Sequence, residues 1–200
     1  MNPKKCLLNS VILFFLTLVV APRLLADTIS GTGWKGTANN RWSGANWDSN
    51  PPTTTSANER NLFFGLGYKV AGGSGSTISS NDLASWAGYR ITFQDSNATG
   101  TAGDGSAAND TSFTIKGNSF TLFDFGGSNF PKIENLSYVD QTFDLNAGGV
   151  ISLSSGVSGN KAEIDPTNGN LIFSANTGLA LLNSTQLEIW GSNQCSDLNL

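Results

Sequence analysis

The feature that most constrains the fold of this chain is a series of apolar residue pairs, each with one residue between its two members. Eight such pairs follow one another from residue 113 onwards: Phe113/Ile115, Phe120/Leu122, Phe143/Leu145, Ile151/Leu153, Ala162/Ile164, Leu171/Phe173, Leu179/Leu181 and Leu187/Ile189. Residues two positions apart lie on the same face of a β-strand, so each pair predicts a short strand with one buried face. Most pairs start 7 to 11 residues after the preceding one, and Gly/Asn turns such as Gly117-Asn118 separate them.

This spacing is compatible with two all-β folds. Short strands at such intervals occur in β-sandwiches, whereas three strands per turn would give a coil of roughly 20–30 residues, which is the period of a solenoid. The strands are very short, their turns are Asn/Gly corners, and similar segments recur as SFTLF, NLIFS and QLEIW. These three features favour a right-handed parallel β-helix, and a β-sandwich is the alternative.

Residues 1–26 are predicted to be a signal peptide rather than part of the fold. Lys4 and Lys5 precede an apolar segment at 7–20, and Ala26 offers a small residue for cleavage, which is the order of a secretory leader. A retained membrane anchor is the alternative, because the apolar segment is not far below spanning length. Cleavage after Ala26 predicts an exported protein located outside the cell, on its surface or in the periplasm, with membrane contact only before cleavage.

The exported part of the chain is acidic and contains a single cysteine. Lys4, Lys5 and Arg23 leave with the leader, which lowers Lys+Arg from 11 to 8 against 15 acidic residues and gives a formal net charge of −7. Such a chain has no basic surface to neutralise phosphates, so nucleic acid is disfavoured as a partner. Cys195 alone cannot form an intrachain disulfide, so packing and backbone hydrogen bonds must hold the exported fold.

A tryptophan-rich block precedes the repeated pairs. Trp34, Trp42 and Trp47 lie among Gly and Asn residues within the segment 27–70. Because the first coil of a solenoid needs an atypical unit over its apolar end, we expect this block to be an N-terminal cap. The alternative is that the three indole rings stack on sugars and form a carbohydrate-binding site. Residues 71–111 are predicted to be Gly/Ser-rich loops with one strand, residues 112–192 the solenoid coils, and residues 193–200 a polar tail.

Few residues of the chain offer catalytic or metal chemistry. The chain contains no histidine, which excludes Ser/His and Cys/His nucleophile pairs, and we expect no catalytic residue and no cofactor. Glu163 and Asp165 share one face of a strand, with backbones roughly 6.6 Å apart, and Lys161 lies beside them. A polysaccharide-degrading β-helix enzyme built on these three residues is an alternative, but a solvent-facing strand is the simpler interpretation. The segment 104–110 (DGSAAND) has oxygen ligands suited to Ca²⁺, although an ordinary solvated loop is favoured.

Several segments are similar to those of a known group of exported proteins. They are RWSGANWD at Arg41–Asp48 with Pro51-Pro52 after it, NLFFG at Asn61–Gly65, FTIKGNSFTL at Phe113–Leu122, QTFDLNAGGVISL at Gln141–Leu153 and GNLIF at Gly169–Phe173. In their order and composition they resemble the bacterial autotransporter-associated β-strand repeat proteins, which are large passenger-type chains. The resemblance implies a β-helical stalk displayed outside the cell, with a structural or adhesive role and no catalytic residues. Because such chains usually stack many more coils, we expect a fragment or a chain anchored through another protein.

The predicted function is therefore that of an exported structural or adhesive β-solenoid. Ladders of Thr, Ser and Asn are expected to face outward as a flat polar surface, with surface polysaccharide as the expected partner. If the last coil ends near Trp190, its edge carries unpaired backbone groups. Such an edge is a template for pairing, so the sequence also predicts self-association through an open solenoid end.

Overall fold

The computed structural model describes residues 31–48, 50–52, 61–65, 76–97, 103–124, 130–155, 161–183 and 185–189. Regular structure in these ranges consists of short strands: β1 Thr32–Gly33, β2 Asn61–Phe64, β3 Ile78–Asn81, β4 Trp86–Gly88, β5 Arg90–Phe93, β6 Thr114–Gly117, β7 Phe120–Phe123, β8 Lys132–Asn135, β9 Gln141–Leu145, β10 Gly149–Ser154, β11 Lys161–Asp165, β12 Leu171–Phe173, β13 Thr177–Leu182 and β14 Gln186–Ile189. The described residues form no helix that could span a membrane. The predicted signal peptide and polar tail lie outside these ranges.

The strands form three parallel sheets that the chain visits in turn. Sheet 1 contains β1, β2, β5, β8, β11 and β14; sheet 2 contains β3, β6, β9 and β12; sheet 3 contains β4, β7, β10 and β13. Each passage through sheets 1, 2 and 3 completes one coil, and the described chain makes about four coils. This is the parallel β-helix that the sequence predicts. The β-sandwich alternative is wrong, because the paired strands are parallel throughout.

Equivalent apolar residues of successive coils lie directly above one another. In sheet 1 the register aligns Leu62, Ile91, Ile133, Ile164 and Ile189, which are 29, 42, 31 and 25 residues apart. The longest interval contains the polar segment 95–111, whose described residues lie outside the named strands. The coil accommodates this insertion because a loop can leave between two sheets without disturbing the strands on either side.

Inward-facing side chains of the three sheets form one apolar core. Phe143 and Phe173 stack in sheet 2 with ring centroids 5.2 Å apart and planes 9° from parallel. Phe120 and Ile151 occupy the equivalent row of sheet 3, and both are buried. Burying an apolar side chain of this size is worth roughly 1.5–3 kcal/mol, so the pairs that mark the strands in the sequence are also what holds the coils together.

The coils begin nearer to the N terminus than the sequence predicts. The pattern predicts a cap up to residue 70 and loops with one strand over 71–111, whereas β2, β3 and β4 make the first complete coil and β5 starts the second. The short strands β3 and β4 present Ser79, Asn81 and Trp86 to the interior. Since they lack an apolar pair, the pattern that identifies the later strands does not mark them.

Candidate functional site

Most of the charged side chains that lie close together are on the outer side of sheet 1, a surface we call the charged face. Its members project from β5, β8, β11 and β14, at positions that alternate with the buried row of isoleucines. They are Arg90, Lys132, Glu134, Lys161, Glu163, Asp165 and Glu188. Because the strands are parallel and in register, charges from successive coils are brought within ion-pair distance.

Lys132 lies at the centre of the charged face. Its Nζ is 2.8 Å from Glu134 Oε2, 3.1 Å from Asp165 Oδ2 and 3.6 Å from Glu163 Oε2. The four side chains are only 9–14% exposed. One ammonium group therefore joins the carboxylates of two neighbouring coils in a largely dehydrated setting, where ion pairs are stronger than at an open surface.

Arg90 and Lys161 extend this network to the coils on either side. The Arg90 guanidinium lies 3.6 Å from Glu134 Oε1. The Lys161 ammonium lies 3.1 Å from Glu163 Oε1 and 2.9 Å from Glu188 Oε2. Three cations and four carboxylates thus form a continuous chain of ion pairs from β5 to β14, and the charges nearly cancel.

Both lysines of the network stay protonated at neutral pH. Burial alone would lower the pKa of Lys132, but the charges of Glu134 and Asp165 outweigh it, and the pKa of Lys132 is raised. Hydrogen bonds that Lys161 donates to Glu188 and Glu163 raise the pKa of Lys161. An ammonium group with a raised pKa can neutralise a carboxylate, but it is poorly suited to take a proton from a substrate.

The structure brings the predicted trio of Lys161, Glu163 and Asp165 together on one face of β11. These residues alternate with the buried Ala162 and Ile164, as the spacing predicts. The carboxylates of Glu163 and Asp165 both face the Lys132 ammonium of the preceding coil. Their negative charge is therefore directed at a fixed cation of the protein itself.

Sequence reasoning missed the residues that earlier and later coils add to this trio. Lys132 and Glu134 lie about 30 positions before it, and Glu188 lies 25 positions after Glu163. Only the coil register, which the sequence does not state, makes them neighbours. The segments KIEN and QLEI do carry charges next to an inward-facing isoleucine or leucine, and that alternation is the signal that could have identified them.

Trp34, Trp42 and Trp47 are packed over the first coil. Their relative exposures are 2%, 0% and 4%, and the ring centroids of Trp34 and Trp47 are 5.0 Å apart in an edge-to-face arrangement. Trp42 also lies edge-to-face on Trp86, with centroids 5.1 Å apart, and its Nε1 donates a hydrogen bond to Ser79 Oγ at 2.7 Å. This packing supports the cap interpretation. Sugar stacking by the same rings stays a prediction that requires the cap to open.

The acidic oxygen atoms of the loop 104–110, for which Ca²⁺ binding is the less favoured interpretation, accept hydrogen bonds from the chain itself. Asp104 Oδ2 accepts a bond from Asn109 Nδ2 at 2.7 Å, and this bond contributes most to lowering the pKa of Asp104. Asp110 accepts bonds from the backbone N–H groups of Ser96 and Tyr138, at 2.8 and 2.6 Å. No group of three or more His, Cys, Asp or Glu side chains in the described ranges is placed to hold a metal ion.

A shallow groove of about 350 Å³ runs over the outer side of sheet 3. Its lining comes from β4, β7, β10 and adjoining turns: Ala84, Ser85, Trp86, Ala87, Ser119, Phe120, Thr121 and Ser152. Four of these side chains carry a hydroxyl group, Trp86 and Phe120 add apolar surface, and none of the eight is charged.

Protein-family models, curated proteins and solved structures were each compared with this chain, and none of the three comparisons found a match.

Proposed function

We propose that this protein is an exported, non-enzymatic β-solenoid that serves as extracellular or cell-surface structure. The observation that carries the proposal is the charged face. Its lysines and carboxylates bind one another across successive coils, with Lys132 bridging β8 and β11. The chemistry of these residues is thereby directed at holding the stack of coils together, which is a structural task.

Export and surface location are supported by the sequence rather than by the fold. The leader at 1–26 and the similarity to autotransporter-associated repeat chains both favour a bacterial protein displayed outside the cell. Expression in a bacterial host with an intact secretion pathway tests this proposal. We expect the exported chain to begin at Asp27, as read by mass spectrometry of its N-terminal peptide. Full-length chain retained in the cytoplasmic fraction would contradict it.

An adhesive role would use the groove of sheet 3. Hydroxyl side chains on a rigid sheet are suited to hydrogen-bonding the hydroxyl groups of a polysaccharide, which we propose as the partner. Binding to immobilised surface polysaccharides tests this role, with Thr121→Arg as the variant that fills the groove. Thr142→Arg is the matched control, because Thr142 is a half-buried strand residue of sheet 2, away from the groove. Equal binding by both variants would exclude the groove as the adhesive surface.

Polysaccharide cleavage is the second candidate function, and one observation favours it. The coil register adds Lys132 to the predicted trio of Lys161, Glu163 and Asp165, so two cations and two carboxylates share one outer face. A screen of acidic polysaccharides with and without Ca²⁺ distinguishes the two functions. We expect no unsaturated or reducing products. Turnover that Glu163→Gln abolishes, with the fold retained, would replace the structural proposal by the enzymatic one.

A further inference from the structure

The two ends of the described coils differ in how they are closed. At the N-terminal end, residues 31–48 cover the first coil, and Trp42 packs against Trp86 and Phe120. At the other end, β12, β13 and β14 each have a hydrogen-bonded neighbour on one side only among the described strands. All three sheets therefore present an outer edge at the same end of the molecule, which we call the open end.

The open end exposes apolar side chains that are buried at the equivalent positions of earlier coils. Leu181 is 42% exposed, whereas Leu122 and Leu153, which precede it in the same row of sheet 3, are fully buried. Ile189 is 44% exposed, although Ile164 beneath it is fully buried. Within the described ranges, the last coil thus has the apolar residues of an interior coil and no described coil above them, and covering them would be favourable.

The charge of the open end suits contact with an identical surface. The strands β12, β13 and β14 contain one charged residue, Glu188, and its carboxylate is neutralised by Lys161 at 2.9 Å. Copies of a chain with a net charge of −7 after cleavage repel one another over most of their surface. The strands of the open end add no net charge to this repulsion, so an identical open end is a compatible partner.

We propose that the open end binds the open end of a second copy, giving a tail-to-tail dimer. A two-fold axis perpendicular to the solenoid axis and passing through sheet 3 would place β13 antiparallel to β13 of the second copy. The same axis would place β12 of each copy against β14 of the other. The pairing supplies hydrogen-bond partners to the strand edges, and it covers Leu181 and Ile189 at the same time.

The sealed N-terminal end determines that this assembly stops at two copies. Head-to-tail stacking would need an open edge at both ends and would continue into a filament. Among the described residues, Trp34, Trp42 and Trp47 cover the apolar end of the first coil, so the apolar layer that a partner can cover lies at the open end. The pairing is therefore isologous and closed.

Sedimentation equilibrium of the exported chain tests the proposal. We expect a reversible dimer, and Leu181→Lys should weaken its association at least tenfold, because two ammonium groups would meet across the two-fold axis. Leu182→Lys, at a neighbouring position that is 41% exposed, repeats the test if Leu181→Lys fails to fold by circular dichroism. Ile78→Lys is the matched control, since Ile78 is 38% exposed but lies in β3, at the N-terminal edge of sheet 2. This control should remain dimeric.

Distances between spin labels on the two copies distinguish tail-to-tail pairing from other dimers. With Cys195 replaced by Ser, labels at Ala180 in β13 should lie close together, because paired strands are about 4.8 Å apart. Labels at Ala45 in the cap should lie about 50 Å apart, since six strands at that spacing make each copy about 24 Å tall. Four results would each overturn the proposal. In sedimentation they are a monomer at high concentration, an open-ended polymer, or a dimer that only Ile78→Lys abolishes. In the distance measurement it is a short distance between the Ala45 labels of the two copies.

Discussion

Replacing Lys132 by methionine is the most direct test of whether the charged face holds the coils together. Methionine keeps most of the length and volume of the side chain but removes the ammonium group. Glu134, Glu163 and Asp165 then lose a cation that lies 2.8, 3.6 and 3.1 Å away. Because their side chains are only 9–14% exposed, water cannot fully replace the lost partner.

The expected magnitude follows from burial and from the partners that remain. Removing one member of a buried ion pair costs about 3–5 kcal/mol. Arg90 still faces Glu134 and Lys161 still faces Glu163, so we expect the lower limit, about 3 kcal/mol of unfolding free energy. For a chain of this size, a loss of 3 kcal/mol lowers the melting temperature by about 6–12 °C.

Lys116→Met is the matched control for this substitution. The Lys116 ammonium lies 3.0 Å from Asp144 Oδ2, but the two side chains are 44% and 31% exposed. Exposed ion pairs contribute about 0.2–1 kcal/mol, so the same chemical change should here lower the melting temperature by less than about 4 °C. Thermal and urea unfolding, followed by circular dichroism on both variants, measures the difference.

Two further measurements show whether charge causes the loss. The raised pKa of Lys132 means that its stabilisation is fully present below the unfolded-state value of about 10.4 and is lost as the pH rises through the higher folded-state pKa. The difference between wild type and Lys132→Met should therefore shrink in strong alkali. Adding Asp165→Asn to the variant should restore part of the stability. Equal, small losses in Lys132→Met and Lys116→Met would refute the reasoning.

Three other substitutions test separate parts of the fold. Gly117→Ala should lower the free energy of unfolding by at least about 3 kcal/mol, because Gly117 has φ +98° and a Cβ there would overlap the carbonyl oxygen of Asn81. Gly148→Ala is the control: Gly148 has φ +77° but open space around it, so the loss measured by urea unfolding should be only about 1–2 kcal/mol. If the tryptophans form a cap, Trp42→Ala should lower the free energy of unfolding by about 3–5 kcal/mol, because Trp42 is fully buried. A variant as stable as the wild type would contradict this role. Asp95→Asn should raise the melting temperature slightly at pH 7, because burial and neighbouring carboxylates raise the pKa of Asp95. This gain should disappear below about pH 4, and a loss of stability at pH 7 would contradict it.

The sequence predicted the later coils well because their strands repeat one simple pattern. In β6, β7, β9 and β10, buried residues alternate with half-buried ones, and the large apolar side chains of the core occupy the buried positions. The exceptions are few: Gln141 is buried, and Phe123 and Val150 lie on the outer face. The first coil was harder to predict because β3 buries Ser79 and Asn81. Asn81 Nδ2 donates to the carbonyl oxygens of Asn118 and Ser119, at 3.1 and 3.3 Å. A polar residue that hydrogen-bonds to the next coil can face the interior, and hydrophobic patterning does not reveal it.

The charged face was only partly predictable for a different reason. Alternation within β11 correctly places Lys161, Glu163 and Asp165 on one side of a strand. Their partner Lys132 comes from the preceding coil, and the intervals between stacked residues range from 25 to 42. With such uneven coils, no fixed sequence period indicates which charges will meet.

Uneven coil lengths also mean that something other than spacing must select the register of the strands. Apolar residues at every second position would tolerate a shift of two residues, because such a shift keeps the same side chains facing inward. The alternation therefore decides which face of a strand is buried. It does not decide which residue of β11 stacks on which residue of β8.

The charges and one proline supply this missing information for the central coils. In the observed register Lys132 is opposite Glu163 and Glu134 is opposite Asp165. The second pair is like-charged, but the Lys132 ammonium lies within 3.6 Å of all three carboxylates and offsets their repulsion. A shift of two residues in one direction would place Lys132 opposite Lys161 and Glu134 opposite Glu163, and like charges directly opposite one another are destabilising. A shift in the other direction would bring Pro166 into the ladder, where proline cannot donate a backbone hydrogen bond. The charged face thus does more than add stability, because it disfavours one of the two nearest alternatives to the observed stacking of β11 on β8, and Pro166 disfavours the other.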